Sequence, residues 1–81
     1  MLNRMRNVAD IPCDKCKISI FSWNQKYLIK LEVDGLEQTF KVNEFDVTGD
    51  DGVKKIVNEE FIDSAMVRFK EMRNMLNKSL K

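Results

Sequence analysis

"KYLIKLEVDGLEQTFKV", Lys26 to Val42, alternates apolar and polar residues on both sides of Asp34-Gly35. A period of two is the pattern of a strand with one covered face. An Asp-Gly pair between two such runs closes a hairpin, because a two-residue type I′ turn needs positive φ at both centres, which these residues tolerate. The turn sets the register: Val33 opposite Leu36, Leu31 opposite Gln38, Ile29 opposite Phe40 and Tyr27 opposite Val42, all on one side of the sheet. A slip by one residue would turn that apolar set to the other face.

Toward the N-terminus, "CKISIFSW" continues the alternation, and a two-residue turn at Asn24-Gln25 joins it to the next strand. Ile20 then faces Ile29, Ile18 faces Leu31 and Cys16 faces Val33 on the same apolar side. The opposite side pairs Lys17 with Glu32 and Phe21 with Leu28, which supports the register independently; Glu32 across from Glu37 is the one repulsive pair. The expectation is a three-stranded antiparallel meander over residues 16–23, 26–33 and 36–43. Leu2, Met5 and Val8 have loosely helical spacing, but Pro12 and polar neighbours assign residues 1–15 to a tail or short turn, leaving 16–81 as a single domain.

Toward the C-terminus, Asn58 is placed to cap a helix over 59–78, with Ile62, Ala65, Met66, Phe69, Met72 and Leu76 on one face. Glu59, Glu60 and Asp63 near its start and Arg68, Lys70, Arg73 and Lys78 later complement the macrodipole and read as a solvated face. Thr48 and Asp51 have capping-box spacing ahead of a possible short helical turn near 50–57, where Val53, Ile56 and Val57 share a side. A sheet with one apolar face and an amphipathic helix cover each other, so the fold class is α+β in two layers.

Composition narrows the function. The 81 residues carry 14 basic and 13 acidic side chains, so no global field favours nucleic acid or an anionic membrane. Apolar runs are too short for a transmembrane helix, and "MLNRMRNVADIP" lacks a signal-peptide centre, which gives the expectation of a cytoplasmic chain with reduced cysteines. A domain of this size gains only about 3–5 kcal/mol from one core, so a partner, metal or second copy would help. With no histidine the chain has no ordinary neutral-pH general base and no Ser-His or Cys-His dyad, and its three glycines are isolated in turns rather than gathered in a phosphate loop. Glu59 and Glu60 are adjacent on a helix and diverge by about 100°. A calcium loop starting at Asp46 would have Asp51 where glycine is required and Val57 where glutamate is required. No enzyme is expected.

Two candidate sites remain. Cys13 and Cys16 form a CxxC, but a structural zinc site needs four ligands. Open readings are strand entry without metal, completion by carboxylates such as Asp10 and Asp14, and zinc shared between two chains as a Cys₄ site. A redox pair would want the N-terminus of a helix behind it, whereas a strand follows. The second candidate is the outer sheet face, where Phe21, Trp23 and Leu28 lie beside Lys26, Lys30 and Lys41 with no second helix to cover them. Exposed aromatics of this area mark an interface: self-association or a protein partner, alternatively single-stranded nucleic acid stacked on the rings. Against nucleic acid stand Glu32, Glu37 and the lack of arginine on the sheet. Leu2, Met5 and Val8 folding back as a lid would remove the need for a partner.

"KYLIKLEVDGLEQTFKVNEFDVTG", with the helix after it, resembles short bacterial proteins of strand-strand-helix type. The resemblance spans Lys17 to the C-terminus and implies a fold without activity or site. The sequence is therefore read as a protein-interaction or accessory module, self-associating through the outer sheet face.

Overall fold

The computed structural model describes residues 4–80. Four antiparallel strands, β1 (Arg6–Ile11), β2 (Lys17–Trp23), β3 (Lys26–Val33) and β4 (Leu36–Asn43), lie in one sheet in sequence order. A short 3₁₀ turn (Glu44–Asp46) leads to helices α1 (Gly49–Ile56) and α2 (Glu59–Ser79). Both hairpins have the expected register, from Lys17 opposite Glu32 and Phe21 opposite Leu28 to Tyr27 opposite Val42 and Val33 opposite Leu36. Their turns show why: φ is positive at Asn24 (53°), Gln25 (64°), Asp34 (47°) and Gly35 (80°), so each turn has the twist of the strands it joins.

The sheet has four strands where the sequence predicts three. The added one, β1, falls within the segment expected to be a tail or short turn. It pairs with β2, Arg6 opposite Ser22 and Ile11 opposite Ile18, with a bulge between Asn7 and Ala9. The bulge inserts Val8 and shifts the alternation by one residue, so Val8 and Ile11, three apart, both pack on the core. Three-residue spacing imitates a helix, and that is why the strand is hard to read. Of the lid residues, Val8 sits against the core side and Leu2 lies outside the described residues.

Ile18, Ile20, Tyr27, Ile29 and Leu31 from the sheet and Cys16 from the β1–β2 connection meet Val53 and Val57 from the α1 segment and Ala65 and Phe69 from α2, forming the core. Asn58 caps α2 as predicted, accepting the Phe61 N–H at 2.9 Å. The Thr48–Asp51 capping box does not form: the Thr48 side chain makes no capping bond, and α1 begins at Gly49, whose φ of +70° disfavours a side chain. Asp50 anchors α1 instead. It accepts the Tyr27 hydroxyl at 2.8 Å and both terminal nitrogens of Arg6 at 3.2 Å, joining α1 to β3 and β1.

Two contacts place α2 over the β4 side of the sheet: Gln38 donates to the Ala65 carbonyl at 2.8 Å, and Arg73 donates to the Asp34 carbonyl. A third, Lys15 with Asp63 at 3.0 Å, ties the first turns of α2 to the β1–β2 connection. Gln38 is thereby explained as a polar residue on the apolar face, and Arg73 holds the helix to the β3–β4 turn rather than serving only solvation. Residues 74–80 are exposed, including Met75 and Leu80.

Two outcomes follow. Phe69→Ala removes a ring that is 3% exposed and is expected to cost about 3–5 kcal/mol, read by urea melts, a large share of a small domain's stability. Hydrogen bonds from Arg6 and Tyr27 hold the Asp50 carboxyl below its ordinary value. A depressed carboxyl contributes stability above its unfolded value, near pH 4, and loses it as pH falls through the folded value. Asp50→Asn should therefore lower the thermal midpoint most at neutral pH, with the gap from the parent closing on acidification; a gap constant down to pH ~2 would contradict this role.

Candidate functional site

The structure brings the predicted outer-face residues together in cross-strand rows. Phe21, Leu28 and Lys41 form one row; Trp23 and Lys26 the next, with Asn43; Lys30 lies between Ser19 and Thr39. No described element covers this face, yet it is less open than the sequence suggests. Leu28 is buried, Phe21 and Trp23 are half-buried, and Ser19 is buried. Neighbouring side chains close over one another on a twisted sheet, and lysine stems contribute to such cover. Lys30 is paired with Glu37 at 3.5 Å, and Glu37 also accepts the Thr39 hydroxyl at 2.8 Å. Lys26 and Lys41 have no ion-pair partner among the described residues.

A more exposed apolar surface lies on the other side, where β4 meets α2. Phe40 stands on the core-facing side, as its register requires, but α2 leaves it 40% exposed. Its ring meets Phe61 edge to face, with centroids 5.2 Å apart and planes at 63°, the arrangement favoured by aromatic quadrupoles. These rings, with Ala65, Met72 and Met75, line a groove of about 570 Å³ rimmed by Gln38, Ser64, Arg68 and Glu71. Gln38 is already bonded to Ala65, and Arg68 to Glu71 at 3.3 Å. Met75, 67% exposed, forms the open end.

Of the groove residues on α2, Phe61, Ala65, Arg68, Met72 and Met75 follow alternating steps of four and three, with Ser64 and Glu71 flanking them. That stripe borders and partly shares the core stripe from Ile62 to Leu76, with Ala65 and Met72 common to both. The signal that could have exposed it is width: apolar residues occupy more of the helix than one packed face needs.

β4 is the last strand of the sheet, and its outer edge has no backbone partner among the described residues. The two sheet edges differ. β1 carries the bulge and is followed by Pro12, features that blunt strand pairing, whereas β4 is eight residues long without bulge or proline.

Cys13 and Cys16 are free thiols in the β1–β2 connection, Cys13 half-buried and Cys16 buried. A shallow depression of about 610 Å³ beside them is walled by Asp10, Asp14, Lys15, Lys17 and Glu32 among others. Charges of both signs stand there beside the apolar Ile11, Pro12, Ile18 and Val33. Among the described residues no cluster of three or more metal-ligating side chains exists, so carboxylate completion by Asp10 and Asp14 gains no geometric support. The thiols differ: backbone N–H groups of Lys15 and then Cys16 hold the Cys13 thiol below its ordinary value, while burial, followed by the nearby Cys13, pushes Cys16 up to about 11. No described helix is long and apolar enough to cross a membrane.

No protein-family model, curated protein or solved structure matches the chain. Function therefore rests on the chain's own geometry.

The thiol asymmetry is measurable. A lowered value puts more thiolate on Cys13 at neutral pH, and a raised one removes it from Cys16. Iodoacetamide should label Cys13 with a pH midpoint below that of an ordinary thiol and Cys16 roughly 100-fold or more slower at pH 7.5, until denaturant equalises them. Equal native rates, read by peptide mass spectrometry, would contradict the assignment.

Proposed function

We propose that this chain is a small protein-interaction module that receives a polypeptide segment along the open edge of β4, with side chains of that segment entering the Phe40–Phe61–Met75 groove. The observation that carries the reading is the coincidence of an unpaired strand edge, without bulge or proline, with an exposed apolar groove beside it. In strand addition, main-chain hydrogen bonds supply affinity, and pockets for alternate side chains supply selectivity. Met72 and Met75 suit such a groove because a thioether chain adapts to irregular shapes.

The role is binding without catalysis. The chain has no histidine, and two rim groups that could act on a ligand, Gln38 and Arg68, are already bonded within the chain. A cytoplasmic setting goes with this reading, since two free cysteines persist in a reducing compartment. The outer sheet face serves an oligonucleotide less well, with Lys30 tied to Glu37 and its rings half-buried.

The docking surface can be located in living cells. A photo-crosslinking phenylalanine analogue at Met75 should yield a discrete covalent adduct, several-fold above the same analogue at Phe21 on the outer face. Adducts confined to Phe21 would move the site to the outer face, and their absence from Met75 would end the groove reading. Phe21→Ala combined with Trp23→Ala should leave the Met75 adduct unchanged.

A further inference from the structure

The β4 edge is complementary to itself. In the β3–β4 hairpin the two-residue turn makes Val33 and Leu36 a hydrogen-bonded pair, and such pairs alternate along an antiparallel ladder. Leu36, Gln38, Phe40 and Val42 therefore direct their backbone groups to β3, while Glu37, Thr39 and Lys41 direct theirs to the open edge. The side chains of these last three lie on the outer face, with Lys30 and Leu28, and those of the first four lie on the groove side.

An antiparallel partner strand related by a two-fold axis must match both the backbone groups and the faces. A two-fold at Thr39 does so. Thr39 then meets Thr39 of the second copy, Glu37 meets Lys41 of the second copy, and Lys41 meets Glu37. On the groove side Leu36 meets Val42 and Gln38 meets Phe40. Registers centred one residue away keep the backbone match but lose the charge match. Centring on Phe40 puts Glu37 against Asn43, and centring on Gln38 puts Glu37 against Thr39. Centring on Lys41 opposes two lysines.

Resting on the groove reading above, we infer that the occupant of the β4 edge is a second copy of this chain, paired antiparallel about Thr39 so that Glu37 and Lys41 form reciprocal interchain ion pairs. Lys41 is exposed and has no ion-pair partner among the described residues, and Glu37 is held on the same face by Lys30 and Thr39. Charge on an edge strand normally discourages pairing; here it discourages the wrong registers and rewards one. The same two-fold sets both copies of α2 on one face of a continuous sheet. Along α2 the half-buried Phe61 and Met72, the exposed Arg68 and Met75 and the buried Ala65 between them follow the four-three spacing by which two helices pack along a seam. This arrangement and a shared zinc site exclude one another, because the cysteine turn joins the two strands farthest from β4.

The test is sedimentation equilibrium of the full chain, with Glu37→Lys and Lys41→Glu made separately. The parent is expected to be dimeric without metal. Each single variant opposes like charges twice across the axis and should weaken the dimer by about tenfold or more while keeping the folded circular-dichroism spectrum. An equimolar mixture of the two variants restores opposite charges at every pair and should form the heterodimer. Because both variants keep their internal changes in the mixture, recovery there reports the interchain pairs alone.

A parent that stays monomeric at hundreds of micromolar, a dimer indifferent to both substitutions, a mixture that fails to associate, or a dimer dissolved by chelator would each overturn the inference. The first of these, with a Met75 adduct to a different protein, removes the second copy and keeps the groove reading. A dimer that survives Phe40→Glu removes the groove reading as well.

Discussion

Two tight turns, Asn24-Gln25 and Asp34-Gly35, decide where nearly every side chain of this protein points. Each requires positive φ at both central residues, and each forbids a one-residue slip in the strands it joins. Gln25 is the least suited of the four to that conformation. Its carbonyl accepts the Glu44 N–H at 3.1 Å, a contact that ties the first turn to the end of β4. From these turns follow the buried row of Ile18, Ile20, Ile29 and Leu31, the outer row of Phe21, Leu28 and Lys41, and the assignment of Glu37, Thr39 and Lys41 to the open edge.

The position of α2 is a separate constraint. Burial of Ala65 and Phe69 requires only that the helix cover the sheet; it does not say over which strands. Gln38 and the Asp34 carbonyl settle that by holding the Ala65 carbonyl and Arg73, while Lys15 ties Asp63 to the β1–β2 connection. Exposed ion pairs contribute little individually, so the partly buried Gln38 bond has the best claim to position the helix. The result leaves Phe40 and Phe61 at the border of the core, with solvent on one side and the strand edge alongside.

What was legible in the sequence is what depends on local pattern. Period-two alternation, turn residues and the Asn58 cap led to three strands, their pairing and α2 nearly to the residue. β1 was hidden because a single bulge at Val8 breaks the alternation that identifies a strand. The Thr48 capping box was suggested by spacing, but the chain enters α1 through the positive φ of Gly49, and Asp50 anchors the helix through Arg6 and Tyr27. The outer-face cluster was placed correctly in register, though its exposure was overestimated because cross-strand cover cannot be read from one strand at a time. The groove was missed for a different reason. It arises from the lateral placement of α2, fixed by contacts between residues more than 25 positions apart, such as Gln38 with Ala65.

A small sheet has two edges and must manage both. On one, the Val8 bulge twists β1 and Pro12 ends it, so an incoming strand meets an irregular ladder. On the other, β4 runs for eight residues without a bulge and carries the sheet's most exposed aromatic, Phe40, with opposite charges at Glu37 and Lys41 placed symmetrically about Thr39. If both edges were merely solvated, the same blunting would serve for both. The asymmetry instead fits an edge that would select its register, since Glu37 and Lys41 would attract in the pairing centred on Thr39 and lose each other one residue away. Strand pairing along such an edge would also enlarge the buried core of a domain whose own core is small, so the surface that carries recognition would contribute to stability as well.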